Sequence, residues 1–227
     1  MYILRCLRLL WMVPLSCLDC KRMKELPLME RFAKLARWSE KVLSNFKVDL
    51  QVEMEAELPN DGPILFVSNH QSEFDMLMLI KGIPTPFSFI SKKENEKVPI
   101  VATWSRALDV IFFNREDQAS GIHMLRESAR RLKDHKNLLI FPEGTRSKGT
   151  TMHEMHAGSL QPAFMAKAYI VPIVLKNSYD YVNLIKHKKP CRMKIMKPIP
   201  FTEYKPLKAE GLVKVLQEQM QQELGKQ

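Results

Sequence analysis

The sequence predicts an α/β fold: a mixed, partly parallel sheet flanked by helices and preceded by an N-terminal pair of helices. Three observations carry this. The first 46 residues show only helical spacing, short apolar runs alternate with helical patterns from residue 47 onward, and no internal repeat or low-complexity linker interrupts that alternation. A chain of 227 residues that is 45% apolar and 26% charged, with eight glycines, buries one sizeable core.

The elements follow in order. The first twenty residues, MYILRCLRLLWMVPLSCLDC, are apolar but interrupted by Arg5, Arg8 and Pro14, and the uncharged run Leu9 to Leu18 is half of what a bilayer span needs. No small-x-small cleavage site follows, and Asp19 intrudes, so a signal peptide is a poor match. Two readings stand side by side: an interfacial segment that sinks Trp and apolar side chains among lipid headgroups, and an ordinary core-packing helix. Residues 24–46 place Leu28, Phe32, Leu35, Ala36 and Val42 or Leu43 at helical spacing, completing a two-helix, membrane-associating unit over residues 1–46. Residues 47–227 form the α/β domain. Its strands are expected at 47–55, 63–68, 87–91, 110–114, 138–141, 169–175 and 191–197, and its helices at 73–81, 98–107, 118–134, 157–168 and 207–225.

Lys and Arg number 35 against 25 Asp and Glu, a net charge of +10, so the surface favours polyanions. No helix-turn-helix, zinc-finger or RNA-binding signature accompanies that charge, which directs the expectation to an anionic membrane and phosphorylated small molecules rather than nucleic acid. Cys6, Cys17, Cys20 and Cys191 form no metal-like pair of pairs, and the CxxC of Cys17 and Cys20 lacks a strand-to-helix context.

Four polar clusters each follow an expected strand. Asn69-His70 follows 63–68, Lys92-Lys93 follows 87–91, Arg115 follows 110–114, and Pro142-Glu143-Gly144-Thr145-Arg146 follows 138–141. Ligands of open α/β sheets bind outside the carboxyl ends of parallel strands, so parallel register would bring all four to one rim. His70 is the side chain suited to act as a base near neutral pH. Asp75 lies five residues later, off any shared helical face, so the two meet only if His70 is in the loop and Asp75 in the helix. A carboxylate so placed holds the imidazole N–H and fixes its tautomer. No G-x-S-x-G elbow or evident cysteine nucleophile is present, which leaves the nucleophile to the substrate. Lys92, Arg115 and Arg146 suit a phosphate. Gly144 suits a tight turn whose N–H groups face an oxyanion. No P-loop motif occurs, which argues against nucleotide hydrolysis.

Two other stretches have plainer readings. HEMH at 153–156 spaces its histidines three apart, not four, and reads as a solvated loop, with no metal expected. The lysine-rich run 186–197 fits a membrane or nucleic-acid patch, and equally an edge strand protected by lysines.

NHQSEFD and FPEGTRS resemble the first and third motifs of the glycerolipid acyltransferase family, N-H-x-x-x-x-D and F-x-E-G-T-R. FISKKENEKVP with VIFFNR is similar to the second motif, and Pro172 in IVPIVL to the proline of the fourth. Length and the short N-terminal extension look most like a bacterial 1-acyl-sn-glycerol-3-phosphate acyltransferase. The resemblance implies that His70 is the general base on the glycerol 2-hydroxyl and that Asp75 orients it. It implies that Arg115, Arg146 and Lys92 or Lys93 hold the 3-phosphate, while Glu143, Gly144 and Thr145 belong to the substrate site. It further implies direct attack on an acyl thioester of coenzyme A or acyl carrier protein, no cofactor beyond that co-substrate, and lysophosphatidic acid as acceptor. The expected place is the cytoplasmic face of the cell membrane, peripheral or monotopic. Two departures bear on acceptor preference: Ala107-Leu108-Asp109 stands where the family commonly has a glycine, and His156 where it has a basic residue before x-Gly.

Other acceptors, another lysophospholipid or glycerol 3-phosphate, share the first motif. Two further classes make different predictions. A non-catalytic basic binding protein makes His70 dispensable, and a His/Asp/Glu metal-dependent hydrolase requires a metal.

Overall fold

The computed structural model describes residues 2–23, 25–180 and 190–226. Seven strands, β1 (Leu50–Met54), β2 (Ile64–Ser68), β3 (Ser88–Lys92), β4 (Ile111–Phe113), β5 (Leu138–Ile140), β6 (Tyr169–Lys176) and β7 (Cys191–Ile195), form one sheet in the order β1-β7-β6-β2-β5-β3-β4. All neighbours run parallel except β6 and β7. Each strand falls on a run expected from the sequence.

The connecting helices are α1 (Tyr2–Arg22), α2 (Leu28–Asn45), α3 (Asp75–Gly82), α4 (Pro99–Ala107), α5 (Gln118–Lys133), α6 (Gln161–Ala166), α7 (Phe201–Tyr204) and α8 (Lys208–Gly225). They sandwich the sheet. In β2, Ile64 and Phe66 join a cluster with Phe32, Leu35, Leu43, Met78 and Phe87, while Leu65 and Val67 face Leu132, Leu160, Leu212 and Leu216 on the other side. Alternate residues of a strand buried on both faces explain why the central strands read as continuous apolar runs.

The N-terminal helices share the first of these clusters, through Cys20 and Met23 of α1 and its connection and through the apolar face of α2. α1 is attached by polar contacts. Buried Arg5 donates to the Phe46 carbonyl at the end of α2 (3.0 Å), Asn45 donates to the Arg5 carbonyl (3.0 Å), Trp104 Nε1 donates to Ser16 Oγ (3.2 Å), and Trp38 Nε1 donates to Asp19 (3.0 Å). Cations suit helix C-termini, and Arg5 sits at one. Leu7, Leu10, Trp11, Leu15 and Leu18 point outward, 51–78% exposed, so α1 carries an apolar stripe on its outer face, beside exposed Arg8, Lys21 and Arg22. No described helix is long and apolar enough to cross a membrane.

Several expectations shift. The helix expected at 24–46 begins at Leu28, after Pro27 in extended backbone. The stretch 157–168 is a 3-10 turn, Ala157–Leu160, followed by short α6, whose end is a left-handed Lys167. Lys92 is the last residue of β3 and Lys93 opens a 3-10 turn, Lys93–Lys97. The lysine-rich run is not an edge strand. Its residues 186–189 lie outside the described residues, and β7 lies between β1 and β6, with Cys191, Met193 and Ile195 buried. Lys194 instead meets Glu55 (2.9 Å), Glu53 and Glu223 (both 3.3 Å). Composition alone does not separate a lysine that shields an edge from one that neutralises a carboxylate cluster.

Candidate active site

β2, β3, β4, β5 and β6 point the same way, so the loops after them open on one rim. The side chain of Asn69 extends the ladder beyond β2: it donates to the Leu175 carbonyl (2.9 Å) and accepts from the Leu175 N–H (2.7 Å). That fully buried amide fixes where the chain leaves the sheet, and His70 is the next residue.

His70 lies in the loop and Asp75 is the first residue of α3, the arrangement the five-residue spacing requires. His70 Nδ1 is 2.8 Å from Asp75 Oδ2. The same oxygen accepts from the backbone N–H groups of Gln71 (2.6 Å) and Ser72 (3.0 Å); Oδ1 accepts from Ser72 Oγ (3.2 Å) and Ser178 Oγ (2.5 Å). A buried carboxylate with this many donors remains an acceptor, so His70 Nδ1 carries the proton and Nε2 presents a lone pair. Nε2 has no polar partner among the described residues, and the ring stacks on Phe141 at 4.0 Å with planes 16° apart.

Glu143 follows β5 and is 3% exposed. Its two carboxylate oxygens accept from the backbone N–H groups of His70 and His153, each at 2.7 Å. Burial pushes this carboxyl above its ordinary range, against the pull of those two donors and the nearby histidines. The Ser147 N–H donates to the His70 carbonyl (2.7 Å), so both backbone polar groups of His70 are held by the loop after β5.

Gly144 forms a tight turn, its φ +67° and its N–H donating to the Phe141 carbonyl at 2.9 Å. The turn itself uses the Gly144 N–H, which leaves the N–H groups of Thr145 and Arg146 as the donors of this loop without a backbone partner among the described residues. A Cβ at Gly144 would lie 3.0 Å from Arg115 Nη2, and the Arg115 guanidinium donates to the Gly144 carbonyl. Arg115 therefore reaches from β4 across β3 to the loop after β5. Arg146 pairs with Glu73, and Lys93 with Glu96 at 2.7 Å. The side chains of Lys92 and Thr145 make no hydrogen bond or ion pair among the described residues. His153 lies outside any helix or strand, its Nε2 3.3 Å from the Arg146 carbonyl, so the HEMH stretch offers no helical histidine pair. Among the described residues no group of three His, Cys, Asp or Glu side chains has metal-ligating geometry.

The structure thus joins His70, Asp75 and Glu143 in one network and Arg115 with Gly144 in a second. Sequence reading missed Asn69, Gln71, Phe141 and Ser178 as its supports. The first three sit within or beside recognisable motifs, whereas Ser178 lies 103 residues from Asp75 with no local signal.

The chain spans about half the length of the curated relatives it matches. One, a 1-acyl-sn-glycerol-3-phosphate acyltransferase of Chlamydomonas reinhardtii, is 33% identical over 160 residues, covering 66% of this chain and 47% of that protein. Another of that name, from Haemophilus influenzae, is 23% identical over 151 residues, covering 66% and 63%. Among solved structures, the 1-acyl-sn-glycerophosphate acyltransferase PlsC of Thermotoga maritima shares the fold with a TM-score of 0.70 at 23% identity, over 85% of this chain and 78% of that one. The family profile described as Acyltransferase matches residues 49–176, more than half of the chain and all four rim clusters, and the chain belongs to that family.

Proposed function

We propose that this chain transfers a fatty acyl group from acyl-coenzyme A or acyl-acyl carrier protein to the 2-hydroxyl of 1-acyl-sn-glycerol-3-phosphate, giving phosphatidic acid for phospholipid synthesis. The observation that carries the reading is the 2.8 Å contact of His70 Nδ1 with Asp75, on a rim where Nε2 has no polar partner among the described residues and where neighbouring loops carry Lys92, Arg115 and Arg146.

His70 Nε2 takes the hydroxyl proton as the acceptor oxygen attacks the thioester carbonyl. Asp75 keeps the ring in the Nδ1–H tautomer and stabilises the imidazolium. Collapse of the tetrahedral intermediate breaks the carbon–sulfur bond, and the imidazolium returns its proton to the departing thiolate. No acyl-enzyme forms: the hydroxyls that touch the pair, Ser72 and Ser178, are hydrogen-bonded to Asp75 rather than to His70.

Arg115, Arg146 and Lys92 hold the 3-phosphate. Lys92 ends β3 and its ammonium makes no ion pair among the described residues, whereas Lys93, like Arg146, has an exposed carboxylate to leave. Arg146 exchanges Glu73 for the phosphate, a small cost for an exposed pair. Glu143 and Gly144 shape the glycerol site by fixing the His70 backbone and the Arg115 guanidinium, with Thr145 at its edge. The outward stripe of α1, with exposed Arg8, Lys21 and Arg22 beside it, rests on the anionic cytoplasmic face of the membrane, where the acceptor resides and soluble thioester donors arrive.

The test is thiol release from palmitoyl-coenzyme A with and without 1-acyl-glycerol-3-phosphate, for the parent chain and His70→Ala. Acceptor-dependent release that vanishes in the folded variant supports the reading. Release indifferent to any acceptor indicates a thioesterase. Faster release with glycerol 3-phosphate or another lysophospholipid reassigns the acceptor.

A further inference from the structure

Five donors converge on the Asp75 carboxylate, and four of them come from residues 70–72 of its own loop. The fifth does not. Ser178 stands just past the end of β6, in the 3-10 turn Ser178–Asp180, and its hydroxyl is 2.5 Å from Asp75 Oδ1. Both side chains are fully buried.

A serine hydroxyl has one proton to donate. The alternative acceptor, Gln71 Oε1, is farther at 3.1 Å, so that proton goes to Asp75. Gln71 in turn orients Ser178: its Oε1 accepts the Ser178 backbone N–H (3.2 Å) while its Nε2 donates to the Gly149 carbonyl (2.8 Å). Those two contacts require opposite ends of the amide, which fixes its orientation. The serine is therefore held by its backbone, and its hydroxyl is free to serve Asp75.

We propose that Ser178 is a positioning residue for the His70–Asp75 pair. Four donors reach the carboxylate from one side in sequence, and three of them go to Oδ2. On Oδ1 the Ser72 hydroxyl is the longest of the five contacts at 3.2 Å, and Ser178 the shortest. Ser178 therefore clamps Oδ1 against rotation of the carboxylate and keeps Oδ2 aimed at His70 Nδ1. It also ties the base to β6, the strand that Asn69 ties to the start of the same loop. The base is thus braced from β6 at two points, one before His70 and one behind Asp75. A rigid, fully hydrogen-bonded support is what a base needs to keep productive geometry.

The inference rests on the acyl-transfer reading, and its test separates the two. Ser178→Ala should lower kcat about 10- to 100-fold with the KM values for donor and acceptor within about twofold, and Ser178→Thr, which keeps the hydroxyl, should recover most of the rate. If the alanine variant does not fold, Ser178→Cys, nearly the same size but a weak donor, takes its place. Ring-nitrogen NMR supplies a readout independent of turnover: the parent shows His70 as the Nδ1–H tautomer, and the variant without the hydroxyl shows a mixture. A folded alanine variant with parental kcat overturns the proposal. So does a variant that loses rate while His70 keeps a single tautomer, because Ser178 then acts only as structure. If the parent transfers no acyl group to any acceptor, the activity reading fails, while the tautomer comparison still decides the role of Ser178.

Discussion

The Glu143 carboxylate accepts the backbone N–H of His70 at 2.7 Å, so a glutamate in the loop after β5 fixes the main chain of the loop after β2. Its other oxygen holds the N–H of His153 at the same distance. Both oxygens of this buried side chain serve as a brace between two loops, and the position of His70 depends on it. A carboxylate offers each of the two main-chain donors its own acceptor oxygen, which the isosteric amide does not.

Glu143→Gln leaves one oxygen for two donors and turns an amide N–H toward the other. An unsatisfied buried group costs about 1–3 kcal/mol, and a displacement of the base by about 1 Å costs on the order of 100-fold in rate. We expect kcat to fall about 10- to 100-fold and the melting temperature by several degrees, read by thiol release and thermal melts. Unchanged kcat would show that the brace does not set the position of His70.

Much of this was legible in the sequence, for physical reasons that also mark the limit. Strands such as β2 are buried on both faces and read as apolar runs, and loops carrying His70, Arg115 and Glu143 follow them directly. Spacing alone required His70 in a loop and Asp75 in a helix. Interior and edge strands were not separable, because Lys194 looks the same to composition whether it faces water or Glu223. The direction of the Gly144 N–H was not legible either, since a glycine announces a turn without saying which groups the turn consumes. Ser178 was invisible because its partner is brought to it by the β2–β6 pairing and not by nearby sequence.

Gly144→Ala tests the second network. Its φ of +67° disfavours any side chain, at about 1–3 kcal/mol, and the new Cβ would stand 3.0 Å from Arg115 Nη2. The guanidinium must give way by a few tenths of an ångström, which disturbs its hold on the Gly144 carbonyl. The KM for the phosphate-bearing acceptor should rise about tenfold or more while the KM for the thioester donor stays close to parental. Equal rises in both would mean that Arg115 does not serve the phosphate.

The outward face of α1 makes a prediction about lipid. Trp11 is 78% exposed and Leu15 54%, and burying each apolar side chain is worth about 1.5–3 kcal/mol. The pair Trp11→Glu and Leu15→Glu should cut sedimentation with phosphatidylglycerol vesicles at least tenfold, and added salt should weaken the parent's binding. Turnover of a short-chain, water-soluble acceptor should be unaffected. Equal sedimentation of both proteins would exclude this face as the contact.

Glu223 on α8 predicts how stability responds to acid. It is buried against Lys226 (2.7 Å) at the end of its own helix and against Lys194 (3.3 Å) and Lys176 (3.4 Å), which anchor α8 to β7 and β6. Burial pushes its carboxyl up, but the hydrogen bonds from Lys226 and Lys194 prevail and hold it at about 2. A carboxyl depressed on folding contributes stability that is present above its ordinary value of 4.5 and lost as pH falls toward 2, because the unfolded chain then binds the proton first. Glu223→Gln should therefore cost about 1–3 kcal/mol at pH 7, measured by urea unfolding, and the gap between variant and parent should close progressively as pH falls through that window. A gap that is constant with pH would mean that packing of α8, rather than the charge of Glu223, sets its contribution.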